Sequence, residues 1–153
     1  MDISSYGNPS SKIWDDVKDI AAITSIPDYA PHRNVDKIVL ATGTSPTGTP
    51  VKTAIVCPPT IYGTGRGSGN TKSIQIPGLA RCFLQRKEGF MVGEGKANWN
   101  NVHIHDLSQL YLKLVQEAVS GGGKATWGQE GYYFAENGEH VRSLPFLQSP
   151  AGP

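Results

Sequence analysis

The sequence has few of the features that mark secreted, membrane or metal-binding proteins. Its two cysteines, Cys57 and Cys82, form neither a Cys-x-x-Cys pair nor a zinc-site spacing. The first residues, MDISSYGNPSSK, lack the apolar stretch of a signal peptide. No apolar run approaches the roughly 18 residues of a membrane span. We therefore expect a reduced, cytoplasmic protein with no membrane partner.

Charge of one sign is also lacking. Lysine and arginine number 14 against 13 aspartate and glutamate, which leaves a formal net charge of +1. No segment concentrates basic residues on one face, so the sequence predicts no nucleic-acid partner.

The length of 153 residues is enough for one domain of ordinary size. Apolar residues make up 38% and charged residues 18%, which is compatible with a modest core. The 18 glycines and 11 prolines indicate many loops. We predict one domain over residues 1–140, followed by an irregular tail over residues 141–153.

Local patterns predict an α/β protein. The segment at residues 32–42 fits either a helix or a strand, because its run KIVLAT is compatible with both. Asp106 is the expected N-cap of the longest helix, and a run of three glycines is expected to end that helix. Predicted helices span residues 13–23, 76–86 and 107–119, and predicted strands span residues 51–56, 89–92 and 131–135. Residues 102–105 fit either a strand or an extended entry to a helix.

Three sequence features together resemble one known family. The strand and turn AIVCPPTIYGTGRG is similar to a segment in which a strand ends in Arg-Pro and a Tyr-Gly follows; here Cys57 replaces the arginine. The stretch GEGKANWNNVHIHDLSQLYLKLVQEA is similar to a Gly-x-Gly, a short strand and a long helix. Lys37 stands where the lysine of a Tyr-x-x-x-Lys motif is expected. The chain thus resembles extended short-chain dehydrogenases, the NAD-dependent epimerase/dehydratase family, over roughly residues 6–140, and is most similar to fungal members of unassigned reaction.

The resemblance implies a fold and a set of site residues. The fold is a partial Rossmann-like parallel sheet with substrate-side elements packed on it. Lys37 is implied as a catalytic and ribose-contacting residue, with Tyr29 as the tyrosine that could approach it. The implied cofactor-binding residues are Lys37, Pro58, Thr60 and Ile61. The implied substrate-contacting residues are Tyr62, Asn70, Trp99 and His103.

Two departures from the family pattern change what is expected of the chemistry. Arg33, and not tyrosine, stands four residues before Lys37, and a guanidinium does not exchange protons near neutral pH. The glycines from 63 to 69 recur every second residue, which does not satisfy the dinucleotide pattern Gly-x-Gly-x-x-Gly. We therefore expect a chain truncated before its dinucleotide-binding half. It would bind no cofactor alone, and would bind NAD(P) only where a partner completes the site.

Other candidate sites have simpler interpretations. His103 and His105 alternate in an extended segment and could chelate zinc, but a catalytic zinc needs a third protein ligand, so no metal site is predicted. Cys57 could act as a nucleophile, although no base is placed beside it, and burial at the end of an apolar strand is the expected role.

Two hypotheses for function remain open. The first is an enzyme derived from the family, acting on a small hydroxylated or carbonyl substrate with lost or altered cofactor use, such as a redox-independent isomerase, dehydratase or cyclase. The second is a non-catalytic truncated remnant, or a binding and assembly module. Since the missing strands would leave a sheet edge unpaired, we also expect self-association into a homo-oligomer.

Overall fold

The computed structural model describes residues 8–45 and 51–137, and within them it has mixed helices and strands. The predicted α/β class is confirmed. The predicted tail at residues 141–153 lies outside the described residues. The helices are α1 (Ile20–Thr24), α2 (Arg33–Thr44), α3 (Gln75–Arg86) and α4 (Ile104–Val119), and the strands are β1 (Ile55–Cys57), β2 (Thr60–Tyr62), β3 (Asn101–His103) and β4 (Tyr132–Phe134), with a 3-10 helix at Gly128–Glu130.

The chain divides into two compact units. The first contains the described parts of residues 12–58 and 107–135. The second contains the described parts of residues 3–11, 59–106 and 136–153. Each unit has one two-stranded parallel sheet. In both ranges that the structure describes, no helix is long and apolar enough to cross a membrane.

The sheet of the first unit joins β1 to β4 in parallel, with Ile55 opposite Tyr132. The ladder continues past the strand ends, because the Ile55 amide donates to the Gly131 carbonyl over 2.7 Å. The predicted strands at residues 51–56 and 131–135 are therefore confirmed, although both are shorter than predicted. Parallel pairing needs a long crossover between the two strands, as the intervening 74 residues provide.

The core of the first unit lies where helices meet this sheet. Its buried apolar side chains are Ile23, Leu107, Tyr132 and Ala135. Two charged side chains of α2, Arg33 and Asp36, are buried with them, at 8% and 9% exposure. A core that contains an arginine and an aspartate is unusual, since charged groups are seldom buried unless paired.

Helix α2 resolves the ambiguous segment at residues 32–42. Its buried positions Arg33 and Asp36 are three residues apart, the spacing of one helix face. His32 precedes the helix in the left-handed conformation (φ 66°), and its carbonyl accepts the amides of Val35 and Asp36. The helix ends at Thr44.

Helix α1 is shorter than the predicted helix at residues 13–23. The Asp15 carboxylate accepts the amides of Val17 and Lys18, both at 2.9 Å, which folds this segment into a turn. Such local side-chain bonds compete with helix formation. The helix therefore begins only at Ile20.

The sheet of the second unit joins β2 to β3 in parallel, with Thr60 opposite Asn101 and Tyr62 opposite His103. Val102, in the middle of β3, is only 2% exposed. Of the two alternatives for residues 102–105, a strand is present only as far as His103, because the chain becomes helical at Ile104. The predicted helix at residues 76–86 matches α3, which has no buried residue.

Two local predictions in this region are wrong. Residues 89–92 form no strand; the Gly95 amide donates to the Val92 carbonyl, and Gly93 adopts a left-handed conformation (φ 55°), so the segment is a turn. Asp106 is not the N-cap of α4, because the helix has already begun. The cap is made instead by His103 Nδ1, which accepts the His105 amide at 3.2 Å.

The predicted glycine stop of α4 is confirmed. Gly121, Gly122 and Gly123 all have positive φ, at 77°, 110° and 51°. The amide of Gly122 returns to the Glu117 carbonyl at 2.8 Å, which satisfies one of the last carbonyls of the helix.

Candidate functional site

One face of α2 forms the wall of a pocket in the first unit. Arg33, Lys37, Leu40, Ala41 and Thr44 recur at spacings of three or four residues with one adjacent pair, so they share a helix face. Thr24 at the end of α1 and Gln129 of the 3-10 helix complete the lining. The pocket has a volume of about 310 Å³. That volume suits a small molecule, because sites for small ligands commonly measure roughly 300–1,000 Å³.

Arg33 is the most buried charged side chain of the pocket, at 8% exposure. Its Nη2 donates to the Thr24 carbonyl over 2.5 Å. Its Nε is buried and has no hydrogen-bond acceptor in the part of the chain that the structure describes. The guanidinium is thus held at one end by the backbone, while its buried Nε lacks a partner among the described residues.

Lys37 lies one helical turn beyond Arg33, on the same wall. Its Nζ forms an ion pair with both carboxylate oxygens of Asp28, at 3.1 and 2.9 Å. The hydrogen bond from Lys37 and its positive charge lower the pKa of Asp28 below its ordinary value. The pair is exposed to solvent, so it positions the ammonium group more than it stabilises the fold.

Tyr29, the predicted partner of Lys37, is 86% exposed and is not among the residues that line the pocket. Its role stays a prediction. The position four residues before Lys37 is occupied by Arg33, whose side chain does line the pocket together with Lys37.

A tyrosine of the core lies near the same helix. Burial of Tyr132 raises its pKa above the ordinary value, and the nearby Cys57 and Asp36 raise it further. The hydroxyl therefore stays protonated at neutral pH and can donate a hydrogen bond, but it does not supply a base. Tyr132 lies in the strand predicted at residues 131–135, whereas no local pattern marks Asp36, whose burial follows from its place on the inner face of α2.

The second unit contains a cluster of three rings. Tyr62 and His103, which are opposite each other in the sheet, meet edge to face with centroids 5.1 Å apart, and His103 meets His105 at 4.6 Å. Gly63, in the left-handed conformation (φ 94°), lies beneath His103, where an added Cβ would be 2.7 Å from the ring carbon Cδ2. Glycine is therefore required there to let the backbone approach the imidazole.

His103 is held by the chain itself. Because its Nδ1 accepts the His105 amide, a neutral His103 carries its proton on Nε2. The described residues contain no group of three metal-ligating side chains around this pair. The cluster is an anchor of β2, β3 and the start of α4.

The remaining predicted site residues fall in different places. Lys37 and Pro58 belong to the first unit, whereas Thr60 and Ile61 lie on β2 of the second. In the glycine-rich loop, Asn70 Oδ1 accepts the Lys72 amide at 3.1 Å, which shapes a turn. Trp99 is 51% exposed, so one side of its ring is open to solvent.

The residues that the structure describes do not fit a dinucleotide. A pyrophosphate site needs a strand, a glycine turn and a helix whose N-terminus meets the phosphates. The glycine-rich loop follows β2, but the Gly65 amide is used within the loop on the Thr71 carbonyl at 2.9 Å. Helix α3 begins only at Gln75, well past Gly69. The ribose contact that the resemblance implies for Lys37 stays a prediction.

The fold is that of a partial Rossmann-like α/β protein, because its short parallel strands alternate with helices. One of these helices bears a lysine on the face that lines a pocket. Residues 10–127 match the model of the family described as the NAD dependent epimerase/dehydratase family. The chain belongs to this family, and the resemblance inferred from its motifs is confirmed.

A curated protein from an Acremonium species, named Oxidase ucsJ, is 37% identical to the chain over 143 residues. The match covers 89% of this chain and 41% of that protein, so the chain spans about two fifths of the length of its relative. The relative is fungal, as the resemblance indicated. No solved structure matches the chain.

Proposed function

We propose that this chain is part of an epimerase/dehydratase-family enzyme that acts on a small hydroxylated or carbonyl substrate with altered cofactor use. The observation that carries the proposal is the pocket on α2. Arg33 lines it at the position where the family resemblance places a tyrosine, beside Lys37 at the matching lysine position.

An arginine at that position changes the chemistry. The family tyrosine exchanges a proton with the substrate, and a guanidinium, with a pKa above about 12, cannot do so near neutral pH. It can donate two hydrogen bonds to a substrate oxygen and stabilise negative charge that develops there. Such stabilisation suits a redox-independent isomerisation, dehydration or cyclisation at a carbon next to a carbonyl group.

A second candidate is oxidation of the same class of substrate. The fungal relative is named an oxidase, and it shares 37% of its residues with this chain over the matched region. Because the chain spans about two fifths of that protein, an oxidative step would draw on a region outside the match.

A dinucleotide titration tests altered cofactor use. NAD(H) and NADP(H) are added separately to the chain at millimolar concentration, and its melting temperature is followed. A ligand present at 100 times its Kd stabilises a protein by about 2.7 kcal/mol, which is easily seen. We expect no shift with any of the four forms. A saturable shift would contradict the proposal and restore classical NAD(P) chemistry.

A substrate screen tests catalysis. The chain is incubated with small hydroxylated and carbonyl compounds, with and without NAD(P), and products are followed by mass spectrometry. We expect turnover that Arg33→Gln abolishes and Arg86→Gln leaves unchanged, because Arg86 lies on the exposed helix α3 and pairs with Glu88. No turnover of any compound would favour a non-catalytic binding or assembly module.

A further inference from the structure

We propose that the pocket on α2 binds the carboxylate group of its small-molecule ligand through the guanidinium of Arg33. The inference rests on the proposed function and deepens it, since it names the substrate class as small hydroxy or oxo acids. Nothing in the family match or in the relative's name assigns a carboxylate to this site.

Arg33 is buried, and its hydrogen-bonding groups are only partly satisfied by the described residues. Its side chain is 92% buried, its Nη2 is bonded only to the neutral Thr24 carbonyl, and its Nε has no acceptor within the described residues. A cation removed from water is costly unless an anion and a full set of hydrogen bonds accompany it. Buried polar atoms nearly always have partners, so a buried guanidinium whose Nε is unbonded and which forms no ion pair among the described residues points to an anion that enters from outside.

The carboxylates of Asp28 and Asp36 form no ion pair with Arg33 in the described part of the chain. Asp28 is already paired with Lys37 at 2.9 Å. Asp36 is buried on the same helix but forms no ion pair with Arg33 in the described part of the chain. Neither side chain therefore supplies the two acceptor oxygens to which the guanidinium fork can donate.

The lining of the pocket suits a small ligand that carries a carboxylate. A carboxylate is planar and offers two oxygens at the spacing of two guanidinium N–H groups. Beyond Arg33, Gln129 provides an amide for a second polar substituent, and Leu40 and Ala41 provide an apolar surface. The Thr24 and Thr44 hydroxyls already donate to carbonyls of their own helices, so they can only accept a hydrogen bond from a ligand. A volume of about 310 Å³ limits the ligand to a small molecule.

The test compares lactate with lactamide, which replaces the carboxylate by a neutral amide of nearly the same shape. Each is titrated into the wild-type chain at low ionic strength, and binding is followed by backbone amide NMR shifts. We expect lactate to bind at least about tenfold more tightly, with shifts centred on α2 and with affinity that falls as salt is added. Equal affinity for the two compounds would overturn the proposal.

Two variants assign the effect to Arg33. Arg33→Gln should remove the preference for lactate, and Arg33→Lys, which keeps the charge but loses the planar fork, should weaken lactate binding at least about tenfold. Arg86→Gln is the matched control and should bind lactate as the wild type does. If circular dichroism shows that Arg33→Gln does not fold, the proposal is tested by the Arg33→Lys variant and by the comparison of lactate with lactamide on the wild-type chain. An Arg33→Lys variant that binds lactate unchanged would contradict a bidentate site.

The outcomes separate this inference from the proposed function. Preferential lactate binding without turnover of any compound would support the carboxylate site and contradict the enzymatic proposal. Turnover of neutral compounds, with lactate and lactamide bound equally, would retain the enzyme and remove the carboxylate site.

Discussion

At the scale of single residues, the pocket depends on how a helix presents its side chains. Arg33 and Lys37 are one turn apart, yet their surroundings differ: Arg33 is buried and forms no ion pair among the described residues, whereas Lys37 is exposed and paired with Asp28. The exposed pair is screened by water, so its loss should matter little for stability. The buried guanidinium is the group whose replacement should alter binding.

Tyr132 allows a prediction about alkaline pH. Because burial raises the pKa of its hydroxyl, the folded state keeps its proton at a pH where the unfolded chain loses it. The folded state then binds more protons than the unfolded state, so the free energy of unfolding should fall as pH rises above the ordinary value near 10.0. Below that value the contribution of Tyr132 is fully present.

Urea denaturation between about pH 8 and pH 11 measures this effect. Tyr132→Phe should show a shallower decline in the free energy of unfolding at high pH than the wild type, because it lacks the hydroxyl whose pKa is raised by burial. Tyr29→Phe, at a side chain 86% exposed, is the control for general alkaline effects. Parallel curves for wild type and Tyr132→Phe would show that this hydroxyl does not set the pH dependence.

At the scale of elements, glycine has opposite roles in two helices. Near the end of α2, a Cβ on Gly43 would meet the Thr53 side chain and lie 2.9 Å from the backbone Cα of Gly128. In α3, a Cβ on Gly78 would meet nothing within 4 Å. The close approach of the 3-10 helix to α2 therefore requires glycine, whereas α3 does not.

The same substitution at these two positions should change stability in opposite directions. Gly43→Ala should destabilise the chain by about 1–3 kcal/mol, as overpacking against backbone usually does. Gly78→Ala should stabilise it by roughly 0.5–1 kcal/mol, because alanine is the better helix former. Melting curves of the two variants and the wild type measure these changes in stability. A stabilised Gly43→Ala variant would show that α2 and the 3-10 helix are not in close contact.

The elements also show where local patterns succeed. Helix α3 and the glycine stop of α4 could be predicted because their signals are local: helical spacing in one case and residues that tolerate positive φ in the other. The strand predicted at residues 89–92 is wrong, because these apolar residues pair with no other strand and form a turn. The cap of α4 also could not be predicted, because histidine is not a preferred N-cap residue.

At the scale of the whole molecule, many large apolar side chains remain exposed. On α4, Val115 is 58% and Val119 is 84% exposed, one turn apart. On α3, Ile76 and Leu84 are 54% and 80% exposed. Exposed apolar surface of this extent commonly marks an interface. We therefore propose that the chain self-associates.

Size-exclusion chromatography with light scattering tests self-association. We expect a mass above 16.4 kDa that rises with protein concentration. Val115→Lys combined with Val119→Lys should lower that mass, whereas Gln116→Lys, on the same helix at a position that is already polar, should not. A wild-type chain that stays monomeric when concentrated would contradict the proposal.

The sequence by itself determined the family, the α/β class and the position of Lys37, because these depend on the order and spacing of motifs along the chain. It also showed that Arg33 replaces the tyrosine. Only the tertiary structure decided that Arg33 is buried beside a pocket and forms no ion pair within the part of the chain that the structure describes. Burial and partners depend on groups distant in sequence, such as the Thr24 carbonyl and Gln129, which local patterns cannot bring together.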